Sequence, residues 1–200
     1  YVDEGTRRYA NLQSKYIVIK FAAGNIFTGS YVETYGTNGV LSFGRPFTSF
    51  PTKLRFEYKY KTSPINRMGG EWKNAWGNYI KREMYENMKG QPDSCSVYIA
   101  LADWEPVTYK GIECPYLIHT RPSELHLFNP NDEHIIAFAQ MTVGHDVNQW
   151  TTETLTLDYR VKNRRPKYIL IVASSSKYGD YFTGGDESLM QLDNMELLYE

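Results

Sequence analysis

Over Lys53–Lys61 apolar and charged residues alternate without exception, Leu54, Phe56, Tyr58 and Tyr60 interleaving with Lys53, Arg55, Glu57, Lys59 and Lys61. A repeat of two sends the two sets to opposite faces of a β-strand, whereas the 3.6-residue turn of a helix would scatter them. One face is therefore core and the other wet, and the chain must supply a second layer to bury the aromatic row.

Tyr168–Ala173, reading YILIVA, is the complementary case: a continuous apolar run with no polar alternation, as expected of a strand buried on both faces. Further strands are expected over 15–23, over the hairpin arms 30–34 and 39–43, and over 94–102 with Val97, Ile99 and Leu101 inward. Three more are expected over 133–143, 151–160 and 189–199. In the last of these the inward set passes from Leu192 to Met195, Leu197 and Tyr199, which predicts a bulge near Asp193-Asn194. Over 71–90, Trp72, Trp76, Tyr79, Ile80 and Met84 recur at three- and four-residue spacings, predicting a short helix or, given Gly69, Gly70 and Gly77, an aromatic-rich insertion loop. With no alternation of strands and helices and no internal repeat, the pattern predicts an all-β, two-sheet antiparallel jelly-roll sandwich. Residues 1–200 are read as one domain carrying the 71–90 insertion.

Charge and motif narrow the function. The 22 Lys and Arg are spread against 23 Asp and Glu for a net charge of −1, so no basic face for nucleic acid is expected. No apolar run approaches the roughly 20 residues that cross a bilayer as a helix. The four histidines show no HExxH or close pairing and the two cysteines no CxxC, so neither a zinc site nor a catalytic thiol is expected. Cys95 and Cys114 permit one disulfide, although Cys95 alternates with Val97 and Ile99 and reads equally as an inward thiol. Nucleotide-binding and serine-hydrolase signatures are absent.

The remaining chemistry gathers where the apolar run ends. Three serines are followed by Lys177, Tyr178, Asp180 and Tyr181 around Gly179, closing on Gly184-Gly185. A rigid strand feeding a loop that pairs rings with charges is a way to present a binding site, and it is also what a packed turn with tyrosines capping the sandwich edge looks like. Asp103 and Trp104 at the end of the 94–102 strand, and Arg45 between Gly44 and Pro46, are candidates to join it; for Arg45 an ion pair with Asp103 or Asp180 is the competing reading. Seventeen Tyr and four Trp supply the half-exposed rings that stack on sugar faces or protein partners. Asp103, Glu105 and Asp180 are the carboxylates from which a glycoside hydrolase would draw its pair. No cofactor is expected; Asp193 and Glu196 beside the bulge are either structural calcium ligands or an exposed pair on an edge strand.

FGRPF (43–47), LRFEYKY (54–60), VYIALADW (97–104), YILIVASSSKYGDYFTGG (168–185) and LDNMELLYE (192–200), in that order, resemble the putative carbohydrate metabolism domain family of gut bacteria over nearly the whole chain. The resemblance implies a galactose-binding-like jelly roll that forms the C-terminal part of a secreted or surface lipoprotein, with an immunoglobulin-like domain upstream. It also implies an extracytoplasmic setting, at the cell surface, outer membrane or periplasm, with membrane attachment only through a lipid anchor outside this chain. Because the chain opens without Met, a mature or trimmed form is expected. This sequence departs from the family pattern at Asp193-Asn194, where two acidic residues are usual, at Gln191, and in the length of 71–90. The expected activity is non-catalytic glycan binding in glycan use. The alternatives are a glycoside hydrolase acting through a carboxylate pair and a structural or adhesive module of a surface assembly.

Overall fold

The computed structural model describes residues 2–3, 18–19, 21–35, 38–68 and 82–199. In chain order the strands are β1 (Val2–Asp3), β2 (Val18–Ile19), β3 (Asn25–Phe27), β4 (Gly29–Tyr35), β5 (Asn38–Phe43), β6 (Arg45–Pro46), β7 (Lys53–Lys61) and β8 (Arg67–Met68). Helix α1 (Arg82–Met88) precedes β9 (Cys95–Ala102), β10 (Val107–Tyr109), β11 (Ile112–Cys114), β12 (Tyr116–His119), β13 (Ile135–Val143), β14 (Val147–Thr156) and β15 (Asp158–Tyr159). The chain ends with β16 (Tyr168–Ser174), β17 (Thr183–Gly184) and β18 (Leu189–Leu198). All the described pairings are antiparallel, and the all-β sandwich expected from periodicity is what forms.

Three sheets make the bulk of it. The central sheet runs β15-β13-β9-β16-β3, with β6 sharing the outer edge of β16 at its other end. One face is covered by β14-β7-β18 and the other by β12-β5-β4. This explains the unbroken apolar run: alternate residues of β16 enter two different cores. Ile169, Ile171 and Ala173 pack with Leu54, Phe56, Tyr58 and Tyr60 of β7, while Leu170 and Val172 pack with Leu41 and Phe43 of β5. Each fully buried large side chain such as Leu54 or Phe56 contributes about 2 kcal/mol through its lost contact with water. The two-sheet expectation is thus extended by a third, smaller sheet.

The predicted bulge is present. Register between β18 and β7 shifts between Asp193 and Glu196, and Asn194 takes φ 49°. Its effect on the inward set differs from expectation: Met190, Leu192 and Leu197 pack on the core, whereas Met195 and Tyr199 are exposed. The extra residue in the bulge turns Met195 outward, so its apolar character is no guide to its face. Within the predicted insertion α1 forms over Arg82–Met88; Trp72 and Trp76, and most of the 15–23 strand, lie outside the described residues. Cys95 and Cys114 are both buried free thiols.

Candidate functional site

The loop leaving β16 is built on a buried carboxylate. Asp93, with no exposed surface, accepts hydrogen bonds from Ser94 N (2.7 Å), Ser176 Oγ (2.5 Å), Gly185 N (2.8 Å) and Ser188 Oγ (3.0 Å). Both ends of the 176–188 segment are therefore pinned to one group, as a buried charge requires. Between the pins, Lys177 N donates to Ser94 O (2.7 Å), a single 3₁₀ turn forms over Gly179–Tyr181, and Phe182 reverses the chain at φ 51°. The turn passes so close to Ala23 that a Cβ on Gly179 would lie 2.5 Å from the Ala23 Cβ, which explains the glycine.

Beside this turn a cavity of about 230 Å³ opens against the central sheet, with Leu41 and Phe43 of β5 in its wall. Tyr98, Phe128, Phe138, Tyr178 and Tyr181 provide rings, Gln140 and Ser174 provide amide and hydroxyl groups, and Lys177 and Asp180 provide charges. Tyr98 and Phe128 stack at 5.0 Å between centroids with planes 10° apart, and Lys177 Nζ stands 5.7 Å from the Tyr178 ring centroid. Asp180 is an exposed residue, yet the protein around it desolvates its carboxyl enough to raise it above the usual carboxylate range. Burial likewise raises the Tyr98 and Tyr181 hydroxyls, the nearby Asp180 charge adding to both. Among the described residues neither the Asp180 carboxylate nor the Tyr98 hydroxyl has a hydrogen-bond partner, and Asp180 forms no ion pair. Among the described residues two polar groups thus line an open cavity without a protein partner, beside stacked rings; a ligand bearing hydroxyls can satisfy both while its apolar face covers a ring.

Lys177, Tyr178, Asp180 and Tyr181 are brought together as the sequence suggested. Asp103, Trp104 and Arg45 are not. Lys177 binds at Ser94, just before β9, while Asp103 follows its far end; nine residues of extended chain separate them by roughly 30 Å. At that far end Arg164 Nε donates to Asp103 Oδ2 (2.6 Å), Arg164 Nη2 donates to Oδ1, and His134 Nδ1 lies 3.2 Å from Oδ1. The arginine hydrogen bond holds the Asp103 carboxyl below its ordinary value. Trp104 is buried at 3% exposure against Tyr116 and Phe128, its indole nitrogen unpartnered, because the third sheet covers the strand end that sequence left open. Arg45 pairs with neither Asp103 nor Asp180 but donates from Nη2 to Gly29 O (2.6 Å). Glu105 is bonded by Lys167 Nζ at 2.5 Å.

Around the β18 bulge, Glu196 is paired with Arg55, Asp193 Oδ1 accepts from Asn194 N (2.8 Å), and Glu57 accepts from Asn194 Nδ2 (3.0 Å). Arg55, Glu57, Met195 and Glu196 line an open trough there, but these polar groups already satisfy one another. Sequence reasoning missed Asp93, Tyr98 and Phe128. Tyr98 had a legible signal, since it alternates with the inward Val97 and Ile99 and so faces the opposite side; Phe128 sits in an irregular stretch, and three of the four partners of Asp93 lie 83 to 95 positions away.

The chain is similar to two crystal structures, each described as a putative glycoside hydrolase. One, from Bacteroides thetaiotaomicron VPI-5482, is 23% identical with a TM-score of 0.58, the match covering 90% of this chain and 48% of that one. The other, from Bacteroides vulgatus ATCC 8482, is 24% identical with a TM-score of 0.59 over 90% of this chain and 65% of that one. The chain therefore spans less than two thirds of either, and at these identities the likeness speaks to the fold alone. Among curated proteins none matches. The family model described as putative carbohydrate metabolism domain matches residues 4–198, and the chain belongs to that family.

Proposed function

We propose that this domain binds carbohydrate without turning it over, in the cavity beneath the 177–181 turn, and that it serves glycan capture outside the cytoplasm. The observation that carries the reading is the Asp180 carboxylate, unpartnered among the described residues and facing a cavity walled by Tyr98, Tyr178 and Tyr181. Carboxylates accept from sugar hydroxyls, and rings cover the apolar C–H face of a pyranose. The family to which the chain belongs supports a carbohydrate-related role.

Hydrolysis is the second reading, favoured by the descriptions of the two Bacteroides structures. It requires two carboxylates within roughly 5–9.5 Å of each other. Asp180 is the sole acidic residue among the described lining of the cavity, and Asp103 and Glu105 sit at the other end of β9. Calorimetric titration of plant and host-type glycans against wild type, Tyr178→Ala and Tyr181→Ala tests the reading. Micromolar to millimolar binding, weakened about 10-fold or more by either substitution, is expected. A glycan bound equally well by all three proteins moves the site elsewhere, and reducing ends released from a polysaccharide panel establish an enzyme instead.

A further inference from the structure

A second cavity, of about 290 Å³, adjoins the first and shares four lining residues with it: Asn25, Leu41, Phe43 and Asp180. Resting on the carbohydrate reading, we propose that the site holds two consecutive sugar residues of a linear glycan, one in each cavity, with the Asp180 carboxylate at the junction accepting hydroxyls from both. Each cavity alone falls below the roughly 300–1,000 Å³ typical of small-molecule sites, so each suits one ring; the pair reaches that range.

The two cavities differ in the way two subsites of one chain would. The first is rich in rings, with Tyr98, Phe128, Tyr178 and Tyr181, and it lies against the central sheet. The second lies along the β4-β5 hairpin and is lined by Tyr31, Thr34, Asn38 and Thr120. Thr120 Oγ1 is already engaged with the Gly39 backbone, accepting from N at 2.8 Å, so it fixes the wall and is not a free contact. Thr34 and Asn38 have no side-chain hydrogen bond among the described residues, and Tyr31 is 66% exposed with its ring edge-on to Phe27 at 5.5 Å. The second cavity thus offers the rings of Tyr31, Phe43 and Phe182 and, among the described residues, two polar side chains without a protein partner, enough to orient a second sugar but with fewer rings than the first. Lys177, at the outer side of the first cavity only, has no counterpart in the second.

The probes are homo-oligosaccharide ladders of one to four residues built from glucose, mannose, galactose and xylose, titrated by calorimetry. For the ladder that binds, affinity is expected to rise about 10-fold or more from one residue to two and less than about 3-fold from two to four. Thr34→Trp, at an exposed strand position, fills the second cavity: it should reduce the disaccharide to the affinity of the monosaccharide and leave the monosaccharide unchanged. Asn38→Trp is the matching variant should Thr34→Trp fail to melt cooperatively. Tyr178→Ala should weaken every rung. A monosaccharide bound as tightly as the tetrasaccharide, or ladders unaffected by both tryptophan variants, overturns the two-residue site and leaves single-residue binding standing. No binding on any ladder overturns this proposal together with the reading on which it rests.

Discussion

Ser176 and Asp93, 83 positions apart, meet through a 2.5 Å hydrogen bond in which the serine hydroxyl donates to a carboxylate with no exposed surface. Removing that carboxylate strands the buried Gly185 N and the part-buried Ser94 N, while Ser188 Oγ keeps Ser63 Oγ at 3.0 Å. Asp93→Ala should therefore cost about 3 kcal/mol and lower Tm by about 10 °C, whereas Ser176→Ala, which removes one donor and leaves the acceptor three others, should cost about 1 kcal/mol. Thermal melts that rank the two substitutions the other way would show that the carboxylate is not the hub of the loop.

Asp180 should behave oppositely. Burial disfavours its charged form without a compensating partner among the described residues, so its folded-state pKa lies above the unfolded value of about 3.9. The unfolded chain then releases this proton first, and stability falls as pH rises from the unfolded pKa through the folded one. Asp180→Asn removes that penalty and should raise Tm at pH 7, with the gain vanishing below about pH 4, where the wild-type carboxyl is protonated in both states. The same variant should bind glycan more weakly, which is the signature of a group kept for function at the expense of stability.

At the other end of β9 the sign reverses. Arg164 holds the Asp103 carboxyl below its unfolded pKa, so its contribution to stability is full above about pH 4 and lost as pH falls through the folded value. Asp103→Asn should cost about 1 kcal/mol at pH 7, a modest figure because the Arg164 side chain is 33% exposed, and the variant should lose less stability than wild type on acidification. Urea titrations at pH 7 and pH 3 measure both quantities. An unchanged acid limb would mean that the pair does not set it.

What could be read in advance follows from what is local. Alternation in β7 and β9, the apolar run of β16 and the bulge near Asp193 are each written in a few consecutive residues, and each formed where expected. The loop residues 177–181 are consecutive too, so their convergence was legible. Asp103, Trp104 and Arg45 were grouped with them because strand ends carry sites, but a strand has two ends, and pairing of β16 with β9 decides which end the loop joins. The burial of Trp104 depends on Tyr116 of β12 lying over it, and the cavity depends on that third sheet bringing Leu41 and Phe43 of β5 to its wall. Neither fact is encoded within a short window.

Two glycines separate steric from conformational need. Gly185 donates its backbone N–H to Asp93, and a Cβ there would lie 2.2 Å from Ser63 Oγ, 2.8 Å from Ser63 O and 2.9 Å from Pro64 O. Two of those three atoms are backbone carbonyls that cannot rotate away, so the loop root itself would have to shift. Gly90 has nothing within 4 Å of its Cβ position but sits at φ +83°, where a side chain is strained in otherwise open space. Gly90→Ala should cost about 1 kcal/mol and leave glycan affinity unchanged, since the strain is confined to the turn after α1. Gly185→Ala should cost 2 kcal/mol or more, by rough analogy with overpacked cores, and should also weaken binding, because displacing the Asp93 anchor displaces the 177–181 turn. Chemical denaturation with parallel calorimetry on the two variants checks this; a Gly185→Ala protein that is destabilised yet binds with wild-type affinity would uncouple the anchor from the site.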